Sequence, residues 1–466
     1  MSALINFLTI NIMPIQSINP ATEEIFATFD ELTDEELENK LSLGDKVFKE
    51  WRNTSFEHRA ELMINAAEIL KKNSRKYGEI ISKEMGKPIG AAVAEVEKCA
   101  WVCEYYAENA EKILKEDVVE SAASLSYVRF DPLGIVLAVM PWNYPFWQVF
   151  RFIAPTIMAG NAGVLKHASN VPQSALAIEE VMIEAGFPAG LFQTLLIGSS
   201  KVERVIRDER VKAATLTGSE FAGSQVAKVA GEEIMPTLLE LGGSDPYIVL
   251  EDADITASCE IATKSRLQNA GQSCIAAKRF IVMESVAEEF LKKFKIRFES
   301  QIVGDPMDEN TAVGPLASKS IFDEVEKQVN KSVEMGATIV TGGKRVGEKG
   351  YFYAPTIISN VKKGIPVYDE EVFGPVATFI VVKSDEEAIE VANSSPLGLG
   401  ASIHTKDIER AKKMATQIES GSVFINSMVS SDPRLPFGGV KKSGYGRELS
   451  SYGIKAFVNI KTVWIK

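Results

Sequence analysis

A chain of 466 residues is longer than one hydrophobic core encloses, so two or three structural units are expected. With 45% hydrophobic and 24% charged residues it reads as an ordinary globular protein, and its formal charge of -12 argues against nucleic acid or an anionic membrane surface as the main partner. The same charge is weak evidence against a small anionic ligand, because one local arginine outweighs a diffuse field.

Residues 1–12 are apolar without lysine or arginine, so they lack the charged start of a secretory signal. From Thr33 to about Lys115 the period is helical: Thr33-Asp-Glu-Glu resembles a capped start, and Leu62, Ala66, Ile69 and Leu70 recur on one face. Around Ser124–Phe130 the period shifts to two, and Gly134–Val139 reads as a buried strand. Three strand-then-helix units follow: Ala162–Lys166 into Pro172–Ala185, Phe192–Ile197 into Val202–Arg207, and Ala213–Leu216 into Phe221–Ala230. Such repeats specify a parallel sheet covered on both faces, with a nucleotide expected at the strand C-termini.

Pro246–Leu250, Lys278–Met283 and Val376–Val382 predict a second α/β unit after Gly243. The final stretch, Ala456–Lys466, is strand-like and rich in apolar groups, an edge that invites pairing with another chain. No apolar run reaches the length of a membrane span, and four unevenly spaced cysteines outline no disulfide framework, so a reducing, cytoplasmic setting is expected.

The chemistry centres on Leu267-Gln-Asn-Ala-Gly-Gln-Ser-Cys-Ile-Ala-Ala-Lys278. Gly271, with the small Ala270 and Ser273, permits a tight turn that sets Cys274 facing a cleft as a nucleophile; the plainer alternative is a buried small hydrophobe, which is how Cys99, Cys103 and Cys259 are read. Glu240 lies among leucines before a glycine pair, where partial desolvation raises a carboxylate toward a general base. Asn143 is held between Pro141 and Pro145, a fixed amide suited to donating to an oxyanion. Cysteine, carboxylate and amide together suit covalent chemistry on a carbonyl. A thiol of pKa about 8.5 needs a sizeable depression or a base near neutrality, for which the candidates are Glu240, directly or through water, or a bound cofactor.

Gly-x-Gly-x-x-Gly after a strand is absent, and Gly218–Gly223 lacks the lysine of a phosphate loop, with Ser224 in its place. What survives is Ser219 opening a helix whose free N–H groups suit a pyrophosphate, against the alternative of an ordinary capped helix. Lys166, at a strand end, is placed to reach a ribose, and is otherwise a solvated loop lysine. Arg151 stands in the apolar Phe150-Arg-Phe-Ile153, where it binds either a ligand carboxylate or an internal acid.

These stretches resemble one family, the NAD(P)-dependent aldehyde dehydrogenases. The motifs that carry the resemblance are Pro141-Trp-Asn-Tyr-Pro145, Leu216-Thr-Gly-Ser219, Leu239-Glu-Leu-Gly-Gly243, Gly271-Gln-Ser-Cys274, Glu371-Val-Phe-Gly-Pro375 and Pro436-Phe-Gly-Gly-Val-Lys-Lys-Ser-Gly444, in order along nearly the whole chain. Gly242-Gly-Ser-Asp-Pro246, Ala276-Ala-Lys-Arg-Phe280 and Thr462-Val-Trp464 are most similar to the short-type bacterial succinate semialdehyde dehydrogenases.

The resemblance implies a fold with two Rossmann-like parallel-sheet units, at 13–115 with 131–242 for cofactor and 243–430 for catalysis. It also implies bridging strands at 116–130 and 445–466 that build homodimers or homotetramers, and because Met13–Glu24 looks like the usual family start, residues 1–12 are expected to be an optional extension or the product of an upstream start. Cys274, Glu240 and Asn143 take the catalytic roles it implies: attack by the thiolate, release of a thioester by water, and support of the oxyanion. Trp142, Lys166, Thr217, Gly218, Ser219, Leu241, Glu371 and Phe373 take cofactor roles. Ser169 stands where relatives that prefer NAD commonly carry a glutamate, so either NADP or NAD is the expected cofactor, with NADP slightly favoured and Lys166 and His167 near its 2'-phosphate.

For the substrate, the resemblance puts Arg151 and Trp147 in the pocket with Gln268, which replaces a second arginine found in some relatives; Ser430, Ser431 and Arg434 are candidates to restore that contact. Succinate semialdehyde is the expected substrate, and lactaldehyde or another uncharged aldehyde the alternative. No metal, nucleic-acid or membrane partner is expected. A cysteine hydrolase is the first rival, but His58, His167 and His404 have no context pairing them with Cys274. A non-catalytic structural or binding member is the second, against which the intact triad of Cys274, Glu240 and Asn143 speaks.

Overall fold

The computed structural model describes residues 15–466, so the expectation of an extension at 1–12 lies outside the described residues. A hairpin of β1 (Ile15–Ile18) and β2 (Ile25–Phe29) leads into four helices, α1 (Asp34–Trp51), α2 (Phe56–Lys72), α3 (Ser74–Met85) and α4 (Ile89–Ile113). Thr33 caps α1 in a capping box with Glu36, as its sequence predicts. Next come β3 (Asp117–Val118) and β4 (Leu125–Pro132), then β5 (Ile135–Met140), α5 (Trp147–Met158), β6 (Ala162–His167), α6 (Pro172–Glu184), β7 (Phe192–Thr194), α7 (Val202–Ile206), β8 (Val211–Thr217), α8 (Glu220–Glu232) and β9 (Thr237–Glu240). β7 is half the predicted length: Leu195 and Ile197 stay buried, but the chain leaves the ladder after Thr194, so apolarity alone overextends the strand.

The second unit runs through β10 (Pro246–Val249), α9 (Ile255–Leu267), β11 (Arg279–Met283), α10 (Glu284–Glu299), β12 (Thr338–Thr341), β13 (Thr356–Ser359), β14 (Val376–Val382), β15 (Leu397–Gly398), β16 (Gly400–His404) and β17 (Ser422–Ile425). The chain closes with β18 (Val440–Lys441), β19 (Gly444–Tyr445) and β20 (Val458–Ile465).

Two sheets organise these elements. One has the order β19-β9-β8-β5-β6-β7, parallel except for β19; the other has the order β12-β13-β14-β11-β10-β16-β17, parallel except for β12. β5, β6 and β11 are buried along almost their whole length, which is why Ile135–Met140, Ala162–Leu165 and Phe280–Met283 read as apolar runs rather than alternations. Each sheet is therefore covered on both faces by helices. The antiparallel β19 runs back along β9 with Gly444 opposite Glu240, which brings the C-terminal segment to the carboxylate.

β20 pairs with β4 in register from Val458↔Pro132 to Ile465↔Leu125, in a three-stranded sheet with β3. Ile460, Trp464 and Ile465 remain exposed on it. Among the described residues no helix is long and apolar enough to cross a membrane.

Candidate active site

The C-terminus of α9 gives way to a turn in which three consecutive residues have positive φ: Asn269 at 52°, Ala270 at 53° and Gly271 at 76°. A left-handed conformation is costly for a residue with a β-carbon, so two non-glycine residues held there mark a turn fixed by its surroundings. Gly271 is required, since a β-carbon would lie 2.1 Å from the Gly374 carbonyl oxygen.

Buried cations hold this turn through carbonyls. Arg266 donates to the carbonyls of Ala277, Gly271 and Val372 at 3.0, 2.9 and 3.2 Å, and also to that of Gly374. Lys278 donates to the carbonyls of Ser273 and Cys274 at 2.7 Å each, with a Glu371 carboxylate oxygen at 3.3 Å. Burial lowers the pKa of both cations, that of Arg266 to about 9.

Cys274 stands at the end of this turn and lines a cavity of about 680 Å³. Burial pushes its thiol up to about 12, while Lys278 and Arg151 pull the other way. The expected depression is therefore absent from the protein by itself, because desolvation outweighs both cations. Cys99 and Cys103 are fully buried in helix packing, as read from the sequence.

Asn143 faces the turn directly. Its amide nitrogen donates to the Gln272 carbonyl at 3.1 Å, and its own carbonyl accepts from the Asn269 amide at 2.8 Å. Glu240 ends β9, fully buried, its oxygens bonded to no described group, and burial raises its carboxyl well above the usual range. A Glu448 carboxylate nearby raises it further, and Arg151 opposes both. The carboxylate and the nucleophile are joined by a short path of backbone: a β-carbon on Gly243, three residues beyond Glu240, would lie 2.4 Å from the Cys274 carbonyl oxygen.

The structure corrects several expectations. Arg151 lines the cavity, but its guanidinium is paired with buried Glu448, stacks on the Phe437 ring at 4.8 Å and donates to Thr217 at 3.3 Å, so the internal acid is its partner. Thr217, expected at the cofactor, thus turns its hydroxyl toward Arg151. His167 is also not open to a phosphate. Its Nε2 donates to the Pro145 carbonyl at 2.9 Å and its Nδ1 accepts from the Ala168 N–H at 2.9 Å, and burial lowers its pKa to about 4, so a neutral imidazole pins the Asn143 loop. Arg434 is 67% exposed, paired with Asp432 and outside the cavity lining. Trp147, Gln268 and Ser431 line the cavity as expected.

Three cavity residues escaped the sequence reading. Glu95 of α4 accepts the Phe146 and Trp147 N–H groups at 2.9 and 3.0 Å, capping α5 from another helix, and it pairs with buried Lys87. Lys98 of α4 projects into the cavity as well. Their signal was charge on an otherwise buried helix face, at Glu95 and Lys98, one turn apart beside Val96, Cys99 and Cys103.

A second set of groups lies at the C-terminal ends of the β5–β9 sheet. Ser219 caps α8 by accepting from Ala222 N–H at 3.2 Å, leaving the first helical N–H groups directed outward beyond Gly218. Leu241 packs beneath α8, against Gly223. Lys166 is the last but one residue of β6, and Ser169 is exposed just beyond the strand. Across the cleft, Glu371 accepts from Gly243 N–H at 3.1 Å, and Phe373 meets Trp142 edge to face at 5.8 Å. A helix N-terminus, a lysine at a strand end and an acidic residue beside an aromatic pair fit a dinucleotide laid across this edge toward Cys274.

Comparison with known proteins agrees with this geometry. The model of the aldehyde dehydrogenase family matches residues 11–463. A probable NADP(+) succinate-semialdehyde dehydrogenase of Synechocystis is 50% identical over 453 residues, 97% of this chain and 100% of that protein. The NADP(+) succinate-semialdehyde dehydrogenase 1 of Mycobacterium tuberculosis is 50% identical over 456 residues, again 97% and 100%. Among solved structures, succinic semialdehyde dehydrogenase from Streptococcus pyogenes in complex with NADP+ superposes with a TM-score of 0.95 at 42% identity, over 97% of this chain and 99% of that one.

Proposed function

The chain belongs to the aldehyde dehydrogenase family, and on that premise we propose that it oxidises succinate semialdehyde to succinate with NADP, accepting NAD less well. The observation that carries the reading is Cys274 on its constrained turn, opening into a cavity that also holds cations. The names of the relatives at 50% identity support the same substrate and cofactor.

Cys274 attacks the aldehyde carbon, with its proton passing to Glu240 or a water beside it. The alkoxide of the thiohemiacetal is held by the Asn143 amide and the Cys274 backbone N–H. When bound, the nicotinamide dinucleotide supplies a two-electron acceptor for the hydride leaving the carbon, and a positive ring that favours the thiolate. What remains on Cys274 is a thioester. Glu240 takes a proton from water, the water adds to the thioester, and the acid departs as the thiol re-forms. Burial of Glu240 suits that step, because a raised pKa makes a stronger base once the proton is lost.

Lys166, the α8 N-terminus and Ser219 would hold the adenosine and pyrophosphate portion, and Glu371 with Phe373 the nicotinamide portion. Ser169 leaves room for a 2'-phosphate, where a carboxylate would repel it. Ile460, Trp464 and Ile465 of β20 support assembly into dimers or tetramers through the exposed edge. Purified protein given succinate semialdehyde, lactaldehyde and butanal with each cofactor tests the reading. Reduced nicotinamide is expected fastest with succinate semialdehyde and NADP; equal rates for all three aldehydes would refute the substrate.

A further inference from the structure

We propose that Lys98, together with the Ser431 hydroxyl, is the specificity-determining site for the far carboxylate of the substrate. The proposal rests on the reading of the reaction given above. Five cations line the cavity: Lys87, Lys98, Arg151, Lys264 and Arg297. Lys87 is paired with Glu95, Arg151 with Glu448, and Arg297 with Glu260 at 3.5 Å. Lys264 is exposed. Lys98 is therefore the one half-buried cavity cation that forms no ion pair among the described residues.

Its surroundings are built for an anion to complete. Nζ of Lys98 donates to Ser431 Oγ at 2.8 Å and lies 4.3 Å from the centre of the Trp147 ring. An ammonium carries three donors, of which Ser431 takes one and the ring face neutralises part of the charge, so a donor remains for the cavity. Asp432, the nearby acid, forms no ion pair with Lys98 and is engaged by Arg434, whose Nε lies 2.8 Å from Oδ1. Gln268 is a weaker partner, since its Nε2 gives one of two N–H groups to the Ser265 carbonyl at 3.1 Å and carries no charge to match a carboxylate. Arg151, one helical turn beyond Trp147, gives Nε to Glu448 and Nη2 to Thr217, so its charge is already matched while the N–H groups of Nη1 remain beside Lys98 on the cavity wall.

The ammonium also titrates where it can be read. Burial, helped by Arg151 on α5, lowers the Lys98 pKa to about 8 against the opposing pull of Cys99 and Glu95 on its own helix and Asp432 in the facing loop. A bound carboxylate needs the protonated form, so its affinity falls as pH rises past that value.

The test is steady-state kinetics of wild type, Lys98→Met and Lys98→Arg with succinate semialdehyde and with butanal, from pH 6.5 to 9.5. Lys98→Met is expected to raise KM for succinate semialdehyde about ten- to hundredfold, the range for losing a charged hydrogen bond, with kcat and the butanal KM little changed. Lys98→Arg is expected to keep most of the discrimination. In wild type the ratio of the two KM values should rise above pH 8, and in Lys98→Arg it should stay flat. Should Lys98→Met fail to fold, the wild-type and Lys98→Arg pH profiles decide the matter. Equal effects on both aldehydes, or a flat wild-type ratio, overturn the assignment of Lys98 alone. Wild-type enzyme that does not prefer succinate semialdehyde to butanal overturns the substrate reading and this proposal with it.

Discussion

The ammonium of Lys278 donates to the carbonyl of Cys274 at 2.7 Å, four residues away in sequence, and it reaches the Ser273 carbonyl at the same distance. The nucleophile is therefore held by its backbone, which leaves its sulfur free to react. Replacing Lys278 by methionine keeps the volume but removes both bonds and leaves Asp245 and Glu371 without their cation. Losing charged hydrogen bonds from a buried site costs about 3 kcal/mol or more. Chemical denaturation should show that loss, and kcat should fall as the turn loosens; a variant of unchanged stability and rate would contradict this role.

Thiol reactivity should follow the burial of Cys274. With a pKa near 12 in the protein alone, the thiolate is a small fraction at neutral pH. Alkylation of Cys274 by iodoacetamide, followed by peptide mass spectrometry, should be slow at pH 7 and climb about tenfold per pH unit through pH 10. Added oxidised cofactor should accelerate it. A plateau between pH 6 and 8 would mean that the thiol is already ionised.

Glu240 has a folded-state pKa raised by burial, so its favourable contribution is complete at low pH and is lost as pH rises through the raised value. Glu240→Gln removes that liability. The variant should gain thermal stability relative to wild type as pH is raised from 5 to 9, while kcat drops by about 10²- to 10⁴-fold with loss of the base. A stability difference that does not vary with pH would show that the carboxyl is not desolvated in solution.

Arg151 should behave as a structural cation. Arg151→Ala strands Glu448, itself buried and raised, beside Glu240. Breaking a buried pair on one side costs about 3–5 kcal/mol, so the melting temperature should fall several degrees, and Arg151→Ala combined with Glu448→Gln should recover part of it. If Arg151→Ala melts like wild type and affects succinate semialdehyde alone, the guanidinium belongs to the substrate after all.

Cofactor preference is expected to turn on Ser169, exposed beyond Lys166 at the end of β6. Ser169→Glu places a carboxylate where a 2'-phosphate would lie. The ratio of kcat/KM for NADP to that for NAD should drop about tenfold or more, the scale of one unfavourable charge contact; an unchanged ratio would move the 2'-phosphate elsewhere.

Both parallel sheets were legible because their central strands are buried on both faces and spell apolar runs, as in Ile135–Met140 and Phe280–Met283. The short, half-exposed β12 and the small ladder of β15 with β18 give no such signal. Cys274 and Gly271 could be read because a turn needs particular residue types. The partnership of Arg151 with Glu448 could not, since 297 residues separate two groups whose meeting depends on β19 returning along β9. His167 misled for a related reason: a histidine beside a lysine suggests a phosphate, and its actual contacts are backbone carbonyl and amide groups, which carry no sequence signature. Lys98 was hidden by the same lack of a motif.

The most direct test of the central claim is to mix Glu240→Gln protein with succinate semialdehyde and oxidised cofactor, quench in acid within the first turnover, and weigh the peptide containing Cys274. The account predicts a succinyl thioester on that cysteine, formed with about one equivalent of reduced nicotinamide and absent from Cys274→Ser. Reduced nicotinamide appearing with no acyl group on Cys274, or an undiminished rate in Cys274→Ser, would contradict it.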